Sequence, residues 1–138
     1  MQMPQPITRD IVLVGGGHTH ALVLRMWGMD PLPGVRLTLI NPAPAAAYSG
    51  MLPGLIAGHY RREALEIDLA KLARFAGARL VLGRAAGIDL DRRRVQVPGR
   101  ADIAYDLLSV DIGITSDMPD LPGFAGHAVP AKPLDALA

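Results

Sequence analysis

Three glycines and two histidines in one short stretch, Gly15-Gly16-Gly17-His18-Thr19-His20, are the residues here most able to do chemistry. Such residues serve two kinds of site: backbone that cradles phosphate, and imidazoles that hold a metal. Phosphate recognition calls for glycine, because a residue without a Cβ lets the chain turn tightly and its backbone approach a pyrophosphate. Gly15 and Gly17 stand at the first two glycine positions of the pattern G-x-G-x-x-G, with Gly16 between them. His20 stands at the third. That third position serves packing of helix on strand, not contact with phosphate. His20 therefore predicts a helix held slightly further from the sheet, or rotated, with its ring covering the helix flank. His18 and Thr19 would lie near phosphate, where the first-turn amides and the helix dipole attract anions. The metal alternative is weaker. Two histidines two residues apart at a helix start point to different sides, and no carboxylate or cysteine sits nearby at ligand spacing. A tight turn without any ligand is the third reading.

The surrounding pattern decides between them. Ile11 to Val14 is a β-branched-rich apolar run, which suits a strand buried on both faces. His18 to Trp27 holds good helix formers, and Gly28 with Pro31-Leu32-Pro33-Gly34 predicts its end. Val35 to Ile40 reads as a second strand. Strand, glycine turn, helix and strand make a βαβ unit, the context in which the glycine pattern means dinucleotide binding. At the end of the second strand, dinucleotide sites usually carry an acid that holds the ribose hydroxyls. This chain has Asn41, whose amide can both donate to and accept from a hydroxyl but lacks charge.

Asn41 to Tyr60 is rich in Pro, Gly and Ala, and an apolar loop of that kind is best explained if it covers something. Leu65 to Ala76 predicts a helix with Leu65, Leu69, Leu72 and Ala76 on one face, stopped by Gly77. Arg79 to Leu82 is a short strand. Ala85 to Leu90 and Val95 to Val97 form a hairpin around Asp91 to Arg94, and Tyr105 to Val110 is a further apolar run. Residues 118–138 carry several prolines and read as a connector, ending in Leu134-Asp135-Ala136-Leu137-Ala138, the start of a helix.

Composition narrows the function classes. The 138 residues are 50% hydrophobic and 20% charged, as expected for one folded domain. A net charge of +1 gives no electrostatic case for nucleic acid. There is no cysteine, so disulfides, thiolate metal sites and a redox dithiol are excluded within these residues. The first ten residues lack an apolar signal core and no apolar run reaches membrane-spanning length, so the expected location is the cytoplasm. No residue stands out as a general acid, base or nucleophile; Tyr48 and Ser49 read as structural.

Taken together, IVLVGGGHTHALVLR, AYSGMLPGLIAGHY, YDLLSVDIG and PGFAGHAVPAKPLDAL resemble the N-terminal flavin-binding segment of FAD-dependent pyridine-nucleotide oxidoreductases. That group includes type II NADH dehydrogenases and sulfide:quinone oxidoreductases. The likeness is greatest to NADH-dehydrogenase-like flavoproteins, some of them fused to selenide, water dikinase. The resemblance implies an α/β, Rossmann-like FAD/NAD(P)-binding fold, a parallel sheet with a β-hairpin or meander, incomplete within this chain. Residues 1–117 would be the first part of the FAD domain and 118–138 the crossing to an NAD-binding domain. Gly15, Gly16 and Gly17 would face the FAD pyrophosphate and Asn41 the adenosine ribose. Tyr48, Ser49, Gly50, Met51, Leu52 and Pro53 would pass near the ribityl chain or flavin ring, and Ala85 would hold adenine through its backbone. Asp111 and Gly113 would turn beside the cofactor, with Asp111 and Ile112 in place of the group's Ala and Thr, which works against a close approach. The whole protein would pass hydride from NAD(P)H through FAD to a quinone or other small acceptor. This chain alone would be inactive, bind FAD weakly or not at all, rely on its own C-terminal domains, and self-associate through uncovered apolar surface. An NAD-binding regulatory sensor without redox chemistry, or a structural domain, are the alternatives.

Overall fold

The computed structural model describes residues 5–114, 119–130 and 132. Its centre is a parallel sheet of β1 (Arg9–Val14), β2 (Val35–Asn41), β5 (Arg79–Leu82) and β9 (Leu107–Val110), in the order β5-β2-β1-β9. The β1 and β2 registers run from Arg9 opposite Val35 to Val14 opposite Ile40, and Val14 also faces Val110 of β9. α1 (His18–Met29) joins β1 to β2, and α3 (Leu69–Ala76) precedes β5.

The apolar runs are continuous because the sheet is buried on both faces, and the two-residue period of a strand divides them. Leu13, Leu37 and Leu39 face Ala21 and Leu24 of α1 and Leu69 and Ala76 of α3. Val12, Val14, Ile40 and Val81 face the other way, onto Val95, Val97 and Ile103. That second layer is an antiparallel meander of β6 (Gly87–Asp89), β7 (Arg94–Gln96) and β8 (Ile103–Ala104). The expected hairpin is its first half. This is a mixed α/β, Rossmann-like fold built on a parallel sheet.

Two boundaries depart from the sequence reading. α1 does not end at Gly28 but continues to Met29. Gly28 is where α3 comes closest, since a Cβ there would overlap the Phe75 ring. The α3 helix starts at Leu69, not Leu65, because Asp68 caps it by accepting from the Lys71 amide at 2.8 Å. Ahead of that cap, residues Arg62–Leu65 form a 3-10 turn and β4 (Glu66–Asp68) pairs antiparallel with β3 (Ala45–Ala47). The apolar stretch after Asn41 is therefore partly built: β3, a 3-10 turn at Ser49–Met51 and the short α2 (Leu52–Ile56). Gly77 ends α3 as expected, left-handed at φ 62°. In the proline-rich tail, Phe124–His127 form the one-turn α4. The expected helix start at Leu134 to Ala138 and the boundary at 117/118 lie outside the described residues.

One buried group is left over. Thr38 of β2 is 1% exposed, and its hydroxyl has no hydrogen-bond partner among the described residues. An unpaired buried hydroxyl carries its full desolvation cost, so Thr38→Val should raise unfolding free energy by about 1 kcal/mol. Urea unfolding checks this; a less stable variant would mean the hydroxyl has a partner.

Candidate functional site at the glycine turn

β2 and β5 lie on one side of β1 and β9 lies on the other, so the strand order reverses between β1 and β9. In open α/β sheets ligands bind outside the carboxyl ends of the strands at such a reversal. Here the glycine turn leaves β1 beside the residues that leave β9. The Gly15 amide donates to the Ile40 carbonyl at 2.8 Å, the Asp111 amide to the Val14 carbonyl at 2.8 Å, and the Gly17 amide to the Asp111 carbonyl at 3.2 Å. Gly15 has φ 92°, and a Cβ on it would overlap the Asp111 carbonyl. A Cβ on Gly16 would overlap the Leu69 side chain. Each glycine is thus demanded by neighbouring protein as well as by any ligand.

His20 is not a covering on the helix flank. It is 1% exposed and lies inside the turn. Its Nδ1 is 2.6 Å from the Gly15 carbonyl and its Nε2 is 2.8 Å from Ser109 Oγ on β9. A carbonyl can only accept, so Nδ1 carries a proton and donates to Gly15, while Nε2 shares a hydrogen bond with the Ser109 hydroxyl. The imidazole joins β1, α1 and β9. His18, two residues earlier, faces outward and packs its ring against Tyr48 with centroids 5.6 Å apart. The two imidazoles point to opposite sides.

Asn41 is likewise engaged within the chain. Its Oδ1 accepts from the Gly16 amide at 2.9 Å and its Nδ2 donates to the Ala43 carbonyl at 2.7 Å. It is 8% exposed. The side chain expected on a ribose instead holds the turn to the end of β2, and its own carbonyl accepts from Gly83 at 3.0 Å.

Asp111 is the unexpected occupant. α1 has no acidic residue in its first turn and no side-chain cap from Gly17. A carboxylate arrives from 91 residues further along: Asp111 Oδ2 accepts from the His20 amide at 3.1 Å. The carboxylate fills the space directly off Gly17, where a Cβ would overlap it. A negative group at a helix N-terminus is favoured for the same reason that phosphate is. Among the described residues the amides of His18 and Thr19 have no partner, and both residues are exposed. The Asp111 backbone lies close against the glycine turn. It is the Asp111 side chain that takes the space of an anion.

The remaining expected positions scatter. Tyr48 reaches the turn through His18, and Gly50 is pressed on the Tyr48 ring, which a Cβ there would meet at 2.6 Å from the phenol oxygen. Ser49 and Met51 are half-buried in the 3-10 turn beside it. Ala85 packs against the meander-side core, and Gly113 is exposed with open space around its Cα. Sequence reasoning missed the roles of Ser109, Leu69 and the Asp111 carboxylate. The His20 and Ser109 pair spans 89 residues, so no local spacing could announce it.

No protein-family model matches the chain. Solved structures share its fold. Sulfide:quinone oxidoreductase from Aquifex aeolicus aligns at 25% identity over 77% of this chain and 24% of its own, with a TM-score of 0.63. NDH2 from Plasmodium falciparum aligns at 15% identity over 88% of this chain and 25% of its own, TM-score 0.69. Water-forming NADH oxidase from Lactobacillus brevis aligns at 19% identity over 81% and 27%, TM-score 0.59. The chain spans about a quarter of the length of these oxidoreductases.

The turn can be tested against a dinucleotide on geometry alone. Its backbone fits a pyrophosphate: a glycine turn at the sheet reversal, opening a helix whose His18 and Thr19 amides have no partner among the described residues. As arranged here the side chains do not, because the Asp111 carboxylate holds the anion space over Gly17.

Restoring the glycine pattern should cost stability. His20→Gly removes a buried ring, unpairs Gly15 O and Ser109 Oγ and places glycine in a helix, together worth about 3 kcal/mol or more. Asn41→Asp puts a carboxylate against the Ala43 carbonyl and should cost about 1–3 kcal/mol. Denaturant midpoints decide; parental stability in His20→Gly would remove the bridging role assigned to its ring.

Proposed function

We propose that this chain is the dinucleotide-binding part of a flavin-dependent oxidoreductase, with FAD as the dinucleotide. The observation that carries the reading is the placement of the glycine turn at the β1/β9 reversal, with the His18 and Thr19 amides at the start of α1 without a partner among the described residues. Gly15, Gly16 and Gly17 would face the pyrophosphate. The Tyr48 to Met51 segment, brought over α1 by the contact of Tyr48 with His18, would border the ribityl or flavin end. Ala85 and Gly113 would meet the cofactor through backbone. Asn41, tied to Gly16 and Ala43, would shape the ribose side by holding the turn, its amide already paired.

Flavin supplies hydride and electron transfer when bound, and the protein's part is binding and orientation. In the whole protein the reaction would run from NAD(P)H through FAD to a quinone or another small acceptor. The relatives we favour are the NADH-dehydrogenase-like flavoproteins, including those fused to selenide, water dikinase. Residues 1–117 would belong to the FAD domain and 118–138 would lead to an NAD-binding domain. Further C-terminal domains of the same protein would complete the site. The edge strand supports that need: Leu107 and Val110 of β9 are 54% and 51% exposed, and Ile112 and Ile114 more so. Apolar exposure on an unpaired sheet edge also favours self-association of the chain alone. No helix among the described residues is long and apolar enough to cross a membrane; a cytoplasmic location remains part of the proposal.

Titration with FAD, followed by flavin fluorescence, tests the reading, with NAD titrated in parallel. The expected result is weak saturable FAD binding, lost in Gly17→Val because a side chain there fills the anion space. Tight NAD binding without FAD binding would favour a sensor. Binding of neither by the full-length protein would leave the turn structural.

A further inference from the structure

We infer that Asp111 is an internal competitor for the anion site of α1, so that a phosphate-bearing ligand must displace its carboxylate to bind. The inference rests on the dinucleotide reading but assigns a property that reading does not contain. Three observations meet at this residue. α1 begins without a capping side chain or a first-turn acid of its own. The Asp111 carboxylate supplies the missing negative group at 3.1 Å from the His20 amide, from 91 residues away. It also lies in the side-chain space of Gly17, the position whose lack of a Cβ admits a pyrophosphate oxygen in glycine turns.

A carboxylate and a phosphate cannot share that space. Both are anions, so displacement is opposed by lost hydrogen bonding, and incomplete displacement by repulsion. The movement required is small. The backbone of Asp111 is fixed by its amide on Val14 and its carbonyl on Gly17, while the half-buried side chain is attached through rotatable bonds only. Ligand entry thus exchanges one cap for another. Without ligand the carboxylate holds α1 to the end of β9; with ligand the phosphate takes the helix terminus and Asp111 turns outward.

The test compares the full-length parent protein with its Asp111→Ala and Asp111→Asn variants, using FAD as the probe. Fluorescence titration gives affinity, and thermal melting with and without FAD gives stability. Removing the charge-assisted bond should tighten FAD binding about tenfold or more in Asp111→Ala. The same variant should melt lower than the parent without FAD and gain more from it. Asp111→Asn keeps a hydrogen-bond acceptor for the His20 amide, so it stays folded should the alanine variant not, and its affinity should also exceed the parent's. Parent and folded variants binding FAD equally would overturn the competition while leaving the dinucleotide reading intact. Weaker binding in both variants would make Asp111 a ligand contact and overturn it too. No FAD binding by any of the three would remove the dinucleotide reading and the inference together.

Discussion

The contact between the end of β9 and the start of α1 is the constraint on which the rest of the site depends. Val14 faces Val110 in the parallel register, which carries Gly15 against the Asp111 backbone so closely that no Cβ would fit between them. Four links then close the same few residues: the Asp111 amide on Val14, the Gly17 amide on the Asp111 carbonyl, the Asp111 carboxylate on the His20 amide, and the His20 ring on Ser109. All are non-local. They exist only once the chain has returned from the meander to lay β9 beside β1, so the turn takes its geometry from the finished sheet and not from its own sequence.

That dependence also explains the division of labour between the two sheet faces. The helices on one face carry the turn, since α1 starts from it and Leu69 of α3 packs over Gly16. The meander on the other face does not touch the turn through any link described above. Its buried Val95, Val97 and Ile103 cover Val12, Val14, Ile40 and Val81. Burying β1 on both faces keeps its register with β2 and β9 fixed, because a one-residue slip would swap every side chain between two different apolar layers.

Much of this architecture was legible in the sequence for a simple reason. Ile11 to Val14, Val35 to Ile40 and Arg79 to Leu82 are short, largely apolar runs with a glycine at one end, and local pattern suffices to place them. Gly77 stops α3 by a local rule as well. The misreadings share a cause. Gly28 reads as a helix end, but it lies inside α1, where Phe75 approaches too closely for a Cβ. Leu65 keeps helical spacing with Leu69 and is indeed buried, yet it belongs to a 3-10 turn, because Asp68 caps the helix after it. In the site, the glycine positions were readable from spacing alone. The partners of His20, Asn41 and the α1 terminus were not, since each is chosen by tertiary contact.

The departures from the glycine pattern have one physical sense when taken together. Where a dinucleotide site commonly offers an acid to ribose, Asn41 satisfies the Gly16 amide and the Ala43 carbonyl. Where it has a third glycine, His20 satisfies Gly15 and Ser109. Where phosphate would cap the helix, Asp111 does. Each departure pairs within the chain a group that would otherwise meet a ligand, so at these three positions the turn does not carry the unsatisfied polarity that would destabilise it. Asn41 and His20 are buried and held at both ends of their side chains, and no ligand need disturb them. Asp111 alone is half-buried, and among the described residues its side chain is held by a single hydrogen bond, from the His20 amide. Of the three it is the one that can yield, which is why ligand affinity and the stability of the turn should be opposed at this residue.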